Sequence, residues 1–205
     1  MNGSREEAPV WTVELSAASA AGTQALAARI GAVLQAGDLL VLTGELGAGK
    51  TTFTQGLGEG LGVRPGIISP TFVLVRSHPN LAGGPDLVHV DAYRLGSAAE
   101  IDDIDLENTL DSVVTVVEWG RGRVEHLSDS WLDITLVRAT GTAPGAAGPA
   151  AVAAGPAAVA AGPAPGAAGP APESPALDFD EAEEDEPRII RIAAYGPRWE
   201  GRPLF

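Results

Sequence analysis

The residues of this 205-residue chain best suited to chemistry lie in one short glycine-rich segment. The sequence GELGAGKT, from Gly44 to Thr51, fills every fixed position of the pattern G-x-x-x-x-G-K-S/T. In this pattern, backbone N–H groups point inward around phosphate oxygens, and glycine adopts the required conformations at little cost. The lysine places a charge near the β- and γ-phosphates, and the final hydroxyl binds Mg²⁺. The predicted nucleotide-binding residues are Gly44, Glu45, Leu46, Gly47, Ala48, Gly49, Lys50, Thr51 and Thr52.

The sequence around this loop has the elements that a phosphate site needs. A short apolar run from Leu39 to Leu42 is typical of a buried parallel strand, and a helical pattern begins at Lys50 and ends near Gly62. The positive end of that helix dipole would face the phosphates. Lys50 is also the only lysine among 13 basic residues, at a position where a slim ammonium fits better than a guanidinium.

Two other predicted strands end in an acidic residue. Leu87 to Asp91 and Val113 to Glu118 are β-branched, apolar runs, and ligand contacts in such folds lie at the carboxyl ends of parallel strands. Glu118 follows the more apolar run, so we expect it either to bind Mg²⁺ directly or to hydrogen-bond to a group that binds Mg²⁺. Asp91 is then assigned to a switch or to positioning the attacking water. His89 is expected to be structural.

A Ser-Pro-Thr segment, Ser69 to Thr71, precedes another predicted strand that reaches Val75. The hydroxyl of Thr71 has the chemistry to contact the metal or the γ-phosphate and so report whether that phosphate is present. An ordinary turn at the start of a strand explains the same three residues. The spacing alone leaves both interpretations open.

The remaining patterns predict the rest of the sheet. Val10 to Leu15 alternates as a half-buried strand, and Ser16 is a plausible cap for a helix from Ala17 to Leu34. Trp131 to Val137 and Arg188 to Tyr195 alternate as an antiparallel pair. The alternation of strands and helices predicts an α/β fold, a single P-loop domain with a mixed β-sheet flanked by helices.

A biased segment separates the last two strands. From Gly141 to Pro175 the chain is rich in Ala, Gly and Pro, with a Gly-Pro pair at intervals of seven, and a proline in each period argues against a continuous helix. The following acidic run, Asp178 to Glu186, has the composition of a solvated tether. The acidic stretch from Ser97 to Leu110 is predicted to be helical or turn-rich. The predicted organisation is a disordered N-terminus (1–9), a P-loop ATPase domain (10–138), a disordered insertion (139–187), and the final strand and tail (188–205).

Composition narrows the classes of function. The formal net charge of −14 argues against direct nucleic-acid binding driven by phosphate contacts, even with the acidic tether set aside. There is no cysteine, so disulfides and cysteine-ligated zinc are excluded. The N-terminus has no apolar core of a signal sequence, and no segment of the chain approaches the apolar length of a membrane span. We therefore expect a cytoplasmic protein.

Four motifs together carry a family resemblance: G-E-L-G-A-G-K-T-T-F, S-P-T-F, D-A-Y-R-L and V-V-E-W. In this order and spacing they make the chain similar to the bacterial TsaE (YjeE) family, the ATPase of tRNA threonylcarbamoyladenosine biosynthesis. The resemblance covers about Val10 to Trp119. It implies slow hydrolysis of ATP with Mg²⁺, and the partners TsaB and TsaD, which transfer a threonylcarbamoyl group to the adenosine beside the anticodon. Contact with tRNA is then only indirect.

The resemblance also implies roles for individual residues. Ser69 to Phe72 match the first switch of the family, Asp91 to Leu95 the second, and Glu118 the acid on the Mg²⁺ side. The candidate catalytic residues are Lys50, Thr71, Asp91 and Glu118, and the candidate metal ligands are Thr51 and Glu118. The loop also suits a small-molecule kinase or a nucleotide-dependent switch module, and the sequence keeps these two as alternatives.

Overall fold

The computed structural model describes residues 8–95, 100–101, 104, 106–139 and 186–204. Their elements, in chain order, are β1 (Trp11–Ala17), α1 (Ala20–Gly31), β2 (Leu39–Thr43), α2 (Lys50–Leu61), β3 (Val75–His78), β4 (Leu87–Asp91), α3 (Glu107–Leu110), β5 (Val114–Glu118), a 3-10 helix (Glu125–Leu127), β6 (Trp131–Arg138), β7 (Arg188–Tyr195) and a second 3-10 helix (Pro197–Trp199).

The strands form one mixed sheet in the order β1-β7-β6-β2-β5-β4-β3. β2 lies in its middle and pairs in parallel with both β5 and β6, and β5 pairs in parallel with β4. β7 is antiparallel to both β1 and β6, and β3 is antiparallel to β4. The predicted α/β fold with a mixed sheet is confirmed, as is the predicted antiparallel pairing of β6 with β7.

Both faces of the central strands are covered. In β2, Leu40 and Leu42 pack in one apolar cluster with the helices, while Leu39 and Val41 pack in a second cluster on the other face. A strand buried on both sides reads as a continuous apolar run, which explains the sequence of β2. The same burial holds the carboxyl ends of β2, β4 and β5 side by side at one edge of the core.

The first helix starts later than the sequence predicts. Ser16 was expected to cap it, but Ser16 pairs with Ile189 inside β1 and is therefore a strand residue. The cap is Ser19, whose backbone is extended and whose hydroxyl oxygen accepts a hydrogen bond from the Gly22 N–H at 3.1 Å. The helix ends at Gly31, before the predicted Leu34.

Helices α1 and α2 cross with their backbones almost in contact. A Cβ atom on Gly60 would lie 1.9 Å from the carbonyl oxygen of Ala28, and one on Gly56 would lie 2.3 Å from that of Gln24. A side chain at either glycine would therefore push α1 and α2 apart. The predicted end of α2 is confirmed, because its C-cap is Gly62 in the left-handed conformation.

Several predicted segments lie outside the described residues. These are most of the N-terminus (1–9), most of the insertion (139–187) and part of the acidic stretch that begins at Ser97, whose last residues form α3. The predicted domain boundaries therefore stay predictions. None of the helices in the described part of the chain is long and apolar enough to cross a membrane.

Candidate nucleotide and metal site

The glycine-rich loop has the backbone shape that the motif predicts. Gly49 forms the N-cap of α2 in the left-handed conformation, with φ of 95°. Gly44 needs to lack a side chain for a different reason, since a Cβ there would lie 2.6 Å from the carbonyl oxygen of Leu136. The loop thus leads from the end of β2 into the N-terminus of a twelve-residue helix, where backbone N–H groups lack partners within the helix.

Lys50 folds back over this loop. Its Nζ donates hydrogen bonds of 2.9 Å to the carbonyl oxygens of Gly44 and Glu45, and lies 3.9 Å from the centre of the Trp119 ring. Burial lowers the pKa of the Lys50 ammonium, and the nearby carboxylates of Glu118 and Asp91 oppose that shift. The ammonium is a buried positive charge at the head of the loop, with two carboxylates beside it.

Glu118 ends β5 beside the first turn of α2. The hydroxyl of Thr51 donates to Glu118 Oε1 at 3.1 Å, and His89 Nε2 lies 2.8 Å from the same oxygen. Glu118 is 3% exposed and His89 is fully buried. Thr51 and Glu118, the two candidate metal ligands from the sequence, are therefore adjacent.

Asp91 forms a second hydrogen-bonded cluster, with two hydroxyls of the Ser-Pro-Thr segment. The hydroxyl of Thr71 lies 2.5 Å from Asp91 Oδ2 and 2.7 Å from the hydroxyl of Ser69. The other carboxylate oxygen, Oδ1, accepts the backbone N–H of Tyr93 at 2.9 Å. Ser69 and Thr71 therefore line the candidate site, and Thr71 lies in the turn that precedes β3.

These groups line one cavity of about 350 Å³. Most of the predicted residues face it, and Gly44, Glu45 and Ala48 do not: Gly44 and Glu45 meet Lys50 through their carbonyls, and Ala48 is buried. The complete lining is Ala20, Thr23, Leu46, Gly47, Gly49, Lys50, Thr51, Thr52, Ser69, Thr71, Asp91, Glu118, Trp119 and Arg188.

Sequence reasoning missed Arg188. This first residue of β7 is 5% exposed, lines the cavity, and places its Nε 3.7 Å from the Cβ position of Gly49. Its Nη1 lies 3.3 Å from the Glu186 carboxylate. No local signal marks it, because its place depends on β7 pairing with β6 across the insertion.

The two arginines that follow Glu118 in the sequence contact groups outside the cavity. Arg121 donates to Asp133 at 2.5 Å and is exposed. Arg123 donates to the carbonyl oxygens of Ala92 and Leu95, and so ties the chain after β5 to the chain after β4. Neither residue lines the cavity.

The donor set fits a nucleoside triphosphate with Mg²⁺ better than a metal cage made of protein alone. Within the described residues, no three His, Asp or Glu side chains cluster as a metal site. Mg²⁺ is usually held by one or two carboxylates together with phosphates and water. One carboxylate and one hydroxyl, from Glu118 and Thr51, match that pattern beside the loop.

A mixed α/β sheet with a glycine-rich loop between its central strand and a helix defines the class, which is that of P-loop domains. A family model described as "Threonylcarbamoyl adenosine biosynthesis protein TsaE" matches residues 17–143, more than half of the chain. The chain belongs to the TsaE family.

Individual relatives agree with this assignment. A Streptomyces coelicolor protein named tRNA threonylcarbamoyladenosine biosynthesis protein TsaE is 57% identical over 117 residues, which is 57% of this chain and 79% of the relative. A Mycobacterium tuberculosis protein of the same name is 47% identical over 125 residues, which is 58% of this chain and 74% of the length of that relative. The crystal structure of Bacillus subtilis YdiB superposes with a TM-score of 0.57 and 25% identity, covering 93% of this chain and 90% of that one.

Proposed function

We propose that this chain binds ATP with Mg²⁺ and hydrolyses it slowly. The observation that carries the proposal is the convergence of Lys50, Thr51, Glu118 and the bonded pair Thr71 and Asp91 on one cavity beside the glycine-rich loop. When bound, Mg²⁺ would neutralise charge that develops on the phosphate oxygens.

Each residue has a separate task in this proposal. The backbone N–H groups of the loop and the start of α2 bind the phosphate oxygens, and Lys50 exchanges its two carbonyl partners for the β- and γ-phosphates. Thr51 and Glu118 hold the metal. Asp91, which is bonded to Thr71, orients the attacking water and accepts its proton. Arg188, which lines the same cavity beside Gly49, adds a second positive charge.

We further propose that hydrolysis serves the formation of threonylcarbamoyladenosine in tRNA, in the cytoplasm. The relatives named for that pathway support this role. The chain would act with TsaB and TsaD without catalysing the transfer itself. Its net charge of −14 favours indirect contact with tRNA through those partners.

One set of measurements tests both proposals. Phosphate release from Mg²⁺-ATP would be followed for the protein alone, with small acceptors of phosphoryl groups, and with TsaB, TsaD and tRNA. We expect slow release by the protein alone, no phosphorylated acceptor, and modified adenosine only when this chain and ATP join the partners. A phosphorylated acceptor would instead show a kinase. Nucleotide binding without any release would show a switch module.

Direct contact with tRNA is measured separately. The chain alone should bind tRNA weakly at physiological salt. Tight binding that falls steeply as salt rises would contradict the indirect role, since that dependence reports many contacts between basic side chains and phosphates.

A further inference from the structure

His89 is a buried side chain that the proposed hydrolysis does not use. It lies in the middle of β4, where the backbone register pairs it with Val116 of β5 and pairs Asp91 with Glu118. Residues two apart in a strand share a face. His89 therefore lies beneath the two strand-end acids, on the same side of the sheet, and is fully buried there.

The hydrogen bonds at Glu118 are asymmetric. His89 Nε2 at 2.8 Å and the Thr51 hydroxyl at 3.1 Å both meet Oε1. Within the described residues, Oε2 receives no hydrogen bond from a protein group. A carboxylate held at one oxygen by two hydrogen bonds cannot rotate freely, so the direction of its other oxygen is constrained as well.

The tautomer of His89 follows from its partners. A carboxylate only accepts hydrogen bonds, so Nε2 must carry the hydrogen. Nδ1 is buried and has no partner among the described residues.

We propose that His89 is a positioning residue for the metal site: its Nε2–H holds Glu118 Oε1, so that Oε2 is pre-oriented as the oxygen that binds Mg²⁺. This rests on the proposed function, because it assumes that Glu118 is a metal ligand. Partners that orient a ligand in this way typically contribute 10- to 100-fold to metal affinity.

The test compares variants that differ in one donor. Gln places its Nε2 the same number of bonds from Cα as His does, and Met has similar length without a donor. The variants are His89→Gln, His89→Met and the control His78→Met, which removes a neighbouring ring 6.3 Å from that of His89. His78 has no bond to Glu118. The readout is the affinity for Mn²⁺, from the electron paramagnetic resonance signal of the free ion, with a non-hydrolysable ATP analogue present.

We expect His89→Met to bind Mn²⁺ about 10- to 100-fold more weakly than the wild type, and His89→Gln to recover most of that loss. His78→Met should keep wild-type affinity. Binding of the analogue without metal should be unchanged in all variants, whereas a merely structural role for His89 would weaken it as well.

Equal Mn²⁺ affinity in His89→Gln and His89→Met would overturn the inference, as would an equal loss in His78→Met. If His89→Met does not fold, His89→Asn replaces it, since its amide is one bond too short to reach Oε1; equal affinity in His89→Asn and His89→Gln then overturns the inference. No Mn²⁺ binding by the wild type would instead overturn the proposed function, and the inference with it.

Discussion

At the scale of single residues, the two acids that line the cavity have different hydrogen-bond partners. Glu118 is bonded to Thr51 of the glycine-rich loop, whereas Asp91 is bonded to Thr71 of the Ser-Pro-Thr segment. One acid is therefore tied to a proposed metal ligand and the other to the proposed switch. Lys50 lies near both carboxylates, so its environment depends on each of them.

Lys50→Ala should abolish measurable hydrolysis and weaken the binding of ATP by about 10- to 100-fold. The variant removes the cation over the β- and γ-phosphates, and a hydrogen bond to a charged group contributes about 1.5–3 kcal/mol. The measurements are phosphate release and the dissociation constant of a fluorescent ATP analogue. Turnover close to that of the wild type would contradict the assignment of the loop.

Glu118→Gln and Asp91→Asn should differ in their dependence on metal. Glu118→Gln removes the charge bonded to Thr51, so most Mg²⁺-dependent turnover is lost and the half-saturating Mg²⁺ concentration rises. Asp91→Asn lowers turnover with little change in that concentration, because Asp91 contacts Thr71 and not Thr51. Mg²⁺ titrations of phosphate release check both variants. The opposite pattern would mean that the roles of the two acids are exchanged.

At the scale of elements, the site depends on how α1 and α2 pack. α2 carries Lys50 and Thr51 at its first turn, and the rest of it lies backbone to backbone against α1. Glycines on both helices make this possible: a Cβ on Gly31 of α1 would lie 2.2 Å from the carbonyl oxygen of Leu57. The close crossing holds the start of α2 in place at the end of β2.

Gly60→Ala should therefore destabilise the protein by about 1–3 kcal/mol, the usual cost of overpacking. Helix propensity alone predicts the opposite sign, since alanine is better than glycine in a helix by about 1 kcal/mol. Gly22→Ala is the matched control, because its Cβ would find its nearest atom at 3.5 Å. It should be neutral or stabilising. Urea unfolding measures both variants, and a stabilised Gly60→Ala would show that the helices separate easily.

At the scale of the whole molecule, the chain leaves β6 and enters β7 beside the candidate site. Arg138 and Arg188 are paired across these strands, and the N–H of Ala139 donates to the carbonyl of Pro187 at 2.9 Å. Arg138 donates to the carbonyl oxygen of Gly47 in the loop at 2.8 Å. The point where the insertion leaves and rejoins the sheet is therefore in contact with the proposed phosphate site.

The insertion should be dispensable for folding and for hydrolysis. Because the strand ends are already paired, Asn-Gly in place of residues 140–186 can close them as a two-residue hairpin. Loop-closure entropy then stabilises the protein by on the order of 2 kcal/mol. Thermal melting and phosphate release would be compared with those of the full chain.

A companion variant separates the role of Glu186 from that of the insertion. It keeps Glu186, whose carboxylate meets Arg188, and shortens only residues 140–185. If the first variant loses turnover and the second keeps it, Glu186 orients Arg188. A lower melting temperature in both would show that the insertion contacts the domain and would contradict the prediction.

The sequence by itself determined the local features of this protein. The phosphate loop, the helix after it and the strands that end in Asp91 and Glu118 follow from short-range patterns, because glycine conformations and the period of apolar residues act within a few residues. The predicted helix cap was wrong: pairing with β7 makes Ser16 part of β1, and Ser19 caps the helix.

Only the tertiary structure decided which distant groups meet. The strand order β7-β6-β2-β5-β4 brings three pairs of residues together. These are the contacts of Thr71 with Asp91, of His89 with Glu118 and of Arg188 with Gly49. That order is set by burying both faces of the sheet and by pairing every central strand, which are properties of the whole chain. No pattern along the sequence indicates that residues separated by the insertion line one cavity. The motif therefore predicted the glycine-rich loop, whereas only the fold showed which other residues lie around it.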